Sequence, residues 1–408
     1  MGRAAPLRDD QGGRIDMAGL GTSAAAALLA VLAVTGAVRA EVSVAITYLR
    51  QEIDHPPTLS NLDAVPEDLG LAGARLGVAD SATTGKFLGH SYVLDVVSVP
   101  PEAALIEAAR KALAGSDLVL LDAEAADQMA IADLPEAKGA VLFNVSSGAA
   151  NLRSDDCRAN LLHTLPEDAA RADALMQFLL TKGWVKLVLI VGPNPADAAW
   201  AEALRGAAQK FGMGFLAEKT WSFDTDLRES TMQEVPRFLQ DLPEHDVVVV
   251  ADASDDFGRY IADNQWLPRL VAGSEGLMPL AWSPTIESWG AVQLQDRFKA
   301  QAKRPMQSRD YAAFLAVRAI GEAVTRTGKA DAASVRAYLL SEAFTLDGFK
   351  GRGLTFRHWN GQLRQPIALA NDRALVAQAP LEGFLHQRNE MDSLGLDQPE
   401  SHCTQFGE

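Results

Sequence analysis

The side chains best able to do chemistry in this sequence are carboxylates, arginines and hydroxyls, and they do not form a catalytic set. No Gly-x-Ser-x-Gly elbow, P-loop or His-Glu-x-x-His motif occurs. The seven histidines, at 55, 90, 163, 245, 358, 386 and 402, never pair at metal-ligand spacing. Asp252, Asp255 and Asp256 resemble a cation loop only loosely. A solvated turn with a helix-capping Asp is the simpler reading. The glycines between Gly348 and Gly353 lack dinucleotide spacing and precede a hairpin signal, not a helix. With no nucleophile beside a base, the residues point to binding without turnover, and to no metal.

Charge narrows the partner. The 408 residues carry 37 Lys plus Arg against 53 Asp plus Glu, a formal net charge of −16. Such a chain repels phosphate backbones, so nucleic acid is disfavoured. A small anion remains open to it, because a local pair of arginines acts within a Debye length of about 8 Å. Residues 24–38 form an apolar run shorter than the roughly 20 residues a spanning helix needs. Arg14 precedes that run, and Val38-Arg39-Ala40 offers small residues where signal peptidase inspects the chain. Residues 1–40 are therefore expected to be a cleavable export signal, with a membrane anchor as the alternative and Met17 as an alternative start. Export to the periplasm makes a Cys157–Cys403 disulfide the default for the two cysteines, against two separate buried thiols.

The elements that must position these groups alternate. Residues 42–49, 92–99, 117–121 and 139–143 read as strands, and 70–82 and 101–114 as helices, the first stopped by Thr84-Gly85. A second series follows Cys157. Thr164-Leu165-Pro166-Glu167 fits a capping box that opens a helix running to Gly183. Residues 185–191 and the four-valine stretch in 246–252 read as buried strands. Asn194-Pro195 opens another helix, with Asp197 in its first turn and Gly212 closing it. A long helix is expected over 310–327. Residues 354–359 and 363–369 flank the hairpin signal Asn360-Gly361. This rhythm predicts an α/β protein with parallel sheets covered on both faces.

Several strings resemble a known family. They are Leu152-Arg153 through Cys157-Arg158-Ala159-Asn160, Leu162-His163-Thr164, Gln293-Leu294-Gln295-Asp296-Arg297-Phe298, Phe349-Lys350-Gly351, Leu354-Thr355-Phe356-Arg357, Gln362-Leu363-Arg364-Gln365-Pro366 and Gly383-Phe384-Leu385-His386. The chain is similar over 41–403 to the type I periplasmic solute-binding proteins of ABC importers, branched-chain amino acid group. More closely it resembles the subfamily associated with PQQ-dependent alcohol dehydrogenase systems. The resemblance implies two Rossmann-like lobes joined by three crossings, near Leu161, Trp282 and Gly361. Lobe 1 would comprise 41–161 and 282–360, and lobe 2 would comprise 162–281 and 361–385, with 386–408 a tail held by Cys403.

Ligands of open α/β sheets sit beyond the carboxyl ends of strands. The resemblance therefore directs Tyr48, Arg50, Asp122, Asn144, Ser146 and Ser147 of lobe 1 to an interlobe cleft. Asp252 and Glu275 of lobe 2 would face them, with Arg153 and Trp282 between. The amino-acid binders carry Asp-x-x-Tyr-Gly after the first lobe 2 strand, where this chain has Gly192-Pro193-Asn194-Pro195-Ala196-Asp197. The implied function is capture of a small anionic solute, PQQ or a related aromatic acid, for an ABC permease, with no cofactor required and no enzyme activity. The alternatives are an accessory or cofactor-holding protein for a periplasmic PQQ-dependent alcohol dehydrogenase, and an amino-acid binder.

Overall fold

The protein is described by a computed structural model over residues 41–54, 64–101, 103–221 and 231–407. The expected export signal lies outside the described residues. The first lobe opens with β1 (Val42–Gln51), α1 (Leu71–Leu88), β2 (His90–Val99), α2 (Leu105–Leu113), β3 (Leu118–Asp122), α3 (Ala125–Ala132), β4 (Val141–Asn144) and β5 (Leu161–His163). These strands pair in parallel in the order β2-β1-β3-β4-β5. Strands buried on both faces need apolar residues on both, and β3 reads Leu-Val-Leu-Leu before its terminal Asp122.

The second lobe follows with α4 (Asp168–Thr181), β6 (Lys186–Val191), α5 (Pro195–Lys210), β7 (Gly214–Thr220), α6 (Thr231–Gln240), β8 (Val247–Ala251), α7 (Gly258–Asp263), β9 (Leu270–Gly273) and β10 (Met278–Leu280). Its parallel sheet runs β7-β6-β8-β9. The chain then returns to the first lobe as α8 (Ala291–Ala302), α9 (Ser308–Thr327), α10 (Ala332–Leu339), β11 (Leu346–Asp347), β12 (Gly353–Phe356) and β13 (Leu363–Arg364). It ends in the second lobe with β14 (Ile367–Ala370) and β15 (Leu375–Ala379), which form an antiparallel sheet with β10. The crossings therefore fall at 164–167, just after β10, and at 365–366. The first lies beyond Leu161, because β5 still pairs with β4 through His163.

Each sheet has a core on both faces. In the first lobe, α1 and α9 pack on one side around Ile46, Leu120, Phe143 and Phe314, and α2 and α3 cover the other around Leu49, Leu121 and Ile131. In the second lobe, α4 and α5 bury Leu175, Leu189 and Val249, while α7 and the Trp221–Phe257 stack close the opposite face.

Three local expectations change. α1 runs through Thr84-Gly85 and stops at Gly89, whose φ of 73° suits a residue without Cβ. Gly85 is needed inside the helix, because a Cβ there would press on the His90 carbonyl at 2.7 Å. The Thr164–Glu167 capping box does not form. Thr164 Oγ1 donates to the Asn144 carbonyl, and Glu167 turns its carboxylate toward Arg357 and the Leu396 N–H. The expected strand 363–369 divides at Gln365-Pro366, since Pro366 has no N–H for a ladder.

The approach of α1 to α9 depends on glycine. A Cβ on Gly73 would overlap the Asp310 carbonyl, and one on Gly77 would meet Val317 at 2.8 Å. Gly73→Ala is expected to cost about 2–4 kcal/mol in chemical denaturation. Gly206→Ala, in the α5 interior with open space around it, is expected to gain about 0.5–1 kcal/mol.

Candidate functional site

At the carboxyl ends of β1 and β3, register puts Arg50 beside Asp122. Asp122 accepts a hydrogen bond from the Tyr48 hydroxyl at 2.8 Å and lies 3.8 Å from the Arg309 guanidinium. Burial, with the Asp122 carboxylate beside it, holds the Tyr48 hydroxyl well above its ordinary pKa. The Arg50 Nε donates to Ser98 Oγ at 2.7 Å, its Nη1 donates to the Glu67 carbonyl, and its Nη2 lies 3.6 Å from Glu52. Together Arg50, Gln51, Glu67, Pro101, Asp122 and Arg309 line an open cavity of about 410 Å³. Arg309, in the first turn of α9, was not singled out from sequence. Only the fold brings it to the ends of strands that lie far earlier in the chain.

The loop after β4 is built on a buried amide. Asn144 Oδ1 accepts from the N–H groups of Ser146 and Ser147 at 3.2 and 2.9 Å, and its Nδ2 donates to the Ser147 carbonyl at 2.8 Å. Gln128 donates to the same Oδ1, and His163 Nδ1 lies 3.1 Å from the Asn144 Nδ2. That amide donates, so His163 Nδ1 is the acceptor and the ring is neutral. Burial and the nearby Arg153 charge push its pKa well down. Ser146 Oγ accepts from the Ala123 N–H and donates to the Ala123 carbonyl, both at 3.0 Å.

Across from this lobe, Asp252 follows β8. Its carboxylate accepts from the N–H groups of Asp256, Phe257 and Gly258 at 2.8–2.9 Å, closing the turn into α7. Glu275 follows β9 and accepts from the Gly276 N–H at 2.9 Å. Burial raises the pKa of Glu275, with Asp255 and Asp372 adding to the shift. Burial likewise raises Asp255 and Asp256, which also repel Asp252 and each other. Arg259 pairs with Asp255 at 2.7 Å. This face is thus acidic, with a single arginine among these carboxylates.

Two residues expected between the lobes are withdrawn from any cleft. Arg153 is fully buried. Its Nε donates to Gln362 Oε1, its Nη1 to the Ser147 and Ala149 carbonyls, and its Nη2 to the Leu165 carbonyl, all at 2.9–3.0 Å. Burial pushes its pKa down to about 10. Trp282 is buried too, stacked on Tyr311 at 4.7 Å, with Nε1 donating to Gln295 Oε1 at 3.1 Å. Tyr48, Asn144 and Asp252 are likewise buried and engaged within their own lobes. Arg50, Asp122, Ser146, Ser147 and Glu275 keep partial exposure. Cys157 and Cys403 are joined in a disulfide.

Among solved structures, the chain is similar to a branched-chain amino acid ABC transporter periplasmic ligand-binding protein from Burkholderia xenovorans. The two share 16% identity over 90% of this chain and 100% of that one, with a TM-score of 0.65. A periplasmic binding protein from Burkholderia mallei matches at 16% identity over 90% and 99% of the two chains, with a TM-score of 0.62. An ABC transporter solute-binding protein from R. palustris in complex with benzoate matches at 14% identity over 89% and 99%, with a TM-score of 0.61. No protein-family model and no curated protein sequence matches the chain. At these identities the likeness establishes the type I periplasmic-binding-protein fold.

Two outcomes follow from the geometry. Arg153→Met is expected to destabilise folding by about 3–5 kcal/mol in denaturant titration, because Ser147, Ala149, Leu165 and Gln362 each lose a buried donor. Glu275 has a folded pKa above its unfolded value, so the native state holds its proton longer, and stability is lost as pH rises through the folded value. Glu275→Gln removes that loss. Melting temperatures are expected to show a gain over wild type at pH 7–8 that shrinks to nothing as pH falls below the unfolded carboxylate range.

Proposed function

We propose that the protein is a periplasmic solute-binding component of an ABC importer, closing its lobes over a small carboxylate-bearing solute and delivering it unchanged to a permease. The observation that carries this reading is the open cavity at the ends of β1 and β3, where Arg50 and Arg309 stand beside Asp122. A guanidinium at a strand end is suited to bidentate contact with a carboxylate. The cavity volume falls within the range of small-molecule sites. The fold is one whose solved examples include amino-acid and benzoate binders.

Within that class, a flat tricarboxylate such as PQQ draws less support than a smaller acid. Of the four groups that would stack on and clamp it, Tyr48, Arg153 and Trp282 are buried and already bonded, and only Arg50 keeps partial exposure. A second reading, an amino-acid-like zwitterion, is favoured by the acidic face of the second lobe. Glu275, Asp255 and Asp256 carry raised pKa values that an ammonium group would relieve.

The test is a titration of the protein with benzoate, a panel of amino acids, and PQQ, followed by tryptophan fluorescence and melting temperature. At least one carboxylate is expected to raise the melting temperature. Arg309→Ala is expected to weaken that ligand by about 10- to 100-fold, as loss of a charge-assisted hydrogen bond requires. A panel in which nothing shifts either signal removes the importer reading. Unchanged affinity in Arg309→Ala removes the proposed subsite.

A further inference from the structure

The chain does not end with the last strand of the second lobe. Leu381 donates its N–H to Gln177 on α4, and Phe384 meets Phe211 edge-on at 5.5 Å, so the tail leaves along the second lobe. It then grips that lobe at one buried point. The Gly395 N–H donates to Asp173 at 2.8 Å, and Lys210 donates to the Gly395 carbonyl at 2.9 Å and to Asp173 at 3.0 Å. Lys210 also reaches Glu400 at 3.3 Å.

The same tail binds the β12–β13 hairpin of the first lobe, next to the third crossing. Buried Asp392 accepts from Arg357 Nε at 2.9 Å and from Arg364 Nε and Nη2 at 2.7 and 3.0 Å. Arg357 also donates to the carbonyls of Leu394 and Leu396. Finally the tail reaches a second part of the first lobe, the segment between β4 and β5. Ser401 Oγ donates to the Arg153 carbonyl at 2.8 Å, the His402 N–H donates to Ser154 Oγ at 2.9 Å, and Cys403 is bonded to Cys157 between β4 and β5.

Covalently, this makes a fourth connection between the lobes. Three are peptide crossings. The fourth runs from β15 through the tail and the disulfide back to the first lobe. A rotation of one lobe against the other must either carry this path with it or shear the contacts at Asp173 and Lys210 from those at Ser154 and Cys157. We propose that residues 386–403 form a strap, closed by the Cys157–Cys403 bond, that limits how far the two lobes separate. The proposal rests on the reading of the protein as a two-lobed binder, but its test needs no ligand. A failed titration leaves it standing, and an inert strap leaves ligand binding standing.

The experiment compares the full chain before and after treatment with dithiothreitol. Each bond takes two electrons and two protons from the dithiol, which closes to its own cyclic disulfide. Cys403 is partly exposed, so the reagent can reach it. Small-angle scattering reads lobe separation, and hydrogen exchange reads the tail and the crossings. On reduction, amides of 390–403 are expected to exchange about tenfold faster or more, and the radius of gyration to rise. Both are expected to reverse on reoxidation. Lys210→Met, which keeps the bond, is expected to speed exchange at 394–401 with no change in radius. The idea is overturned by a freed tail with an unchanged radius, by a tail that stays protected after reduction, or by a loss of circular dichroism on reduction. In the last case the bond holds the fold and not the opening. A radius in Lys210→Met equal to that of reduced protein overturns it as well.

Discussion

A guanidinium taken out of water costs several kcal/mol unless its N–H groups find oxygen partners. Arg153 meets that condition with no carboxylate in hydrogen-bond contact among the described residues. Its partners are the carbonyls of Ser147, Ala149 and Leu165 and the Gln362 amide. These groups belong to the loop after β4, the first crossing and the turn between β12 and β13 that leads into the third crossing. Gln362 in turn donates to the carbonyls of His163 and Leu165, and Gln365 donates to the Thr164 carbonyl at 2.7 Å. The junction between lobes is therefore a buried polar knot in which each member's position is set by the others. Such a network specifies one geometry more sharply than an apolar contact of equal area, because a displaced donor leaves a buried acceptor unpaired.

The strand ends of the two lobes are asymmetric in charge. Asn144 ends β4 and Asp252 follows β8, and both spend their side chains on the backbone of the following turn. What they leave exposed is different. Around the first lobe's cavity lie Arg50 and Arg309, while the second lobe presents Glu275, Asp255 and Asp256. In a chain of net charge −16, the two arginines are a local exception rather than part of a basic surface. A local exception acts only over a Debye length, so any selection for negative solutes is made at contact, not by steering from afar.

Much of this architecture is readable from the sequence, and at the site most of what is not has one cause. The valine run of β8 and the leucines of β3 declare strands buried on both faces, and Asn194 with Asp197 declares a helix start that forms as written. These are local signals. The misreadings at the lobe junction and the candidate site involve partners remote in the chain. Thr164 and Glu167 have the spacing of a capping box, but Glu167 answers instead to Arg357, 190 residues away. Arg153 looked available because its acceptor Gln362 lies 209 residues on. Arg309 went unnoticed because the first turn of a helix gives no hint of the strand end it will face. Residue type and period report burial within an element, and they are silent on which charged side chain the fold will consume.

The crossings themselves constrain any movement of the lobes. The third is only Gln365-Pro366, and the first is Thr164-Leu165-Pro166-Glu167. Each contains a proline, which locks its own φ and steers the residue before it away from helical values. Lys350 adds stiffness at the third crossing. It is fully buried, burial pushes its pKa well down, and its Nζ donates to Gln365 Oε1 and the Pro366 carbonyl at 3.0 and 2.8 Å. Few free dihedrals remain to absorb a rotation, so the bend must be spread over the second crossing and the ends of the elements beside it. A hinge of that kind moves through small angles shared among many residues. A fourth tether from the tail is compatible with such a hinge, whereas one built on a long flexible loop would make the same tether a severe restraint.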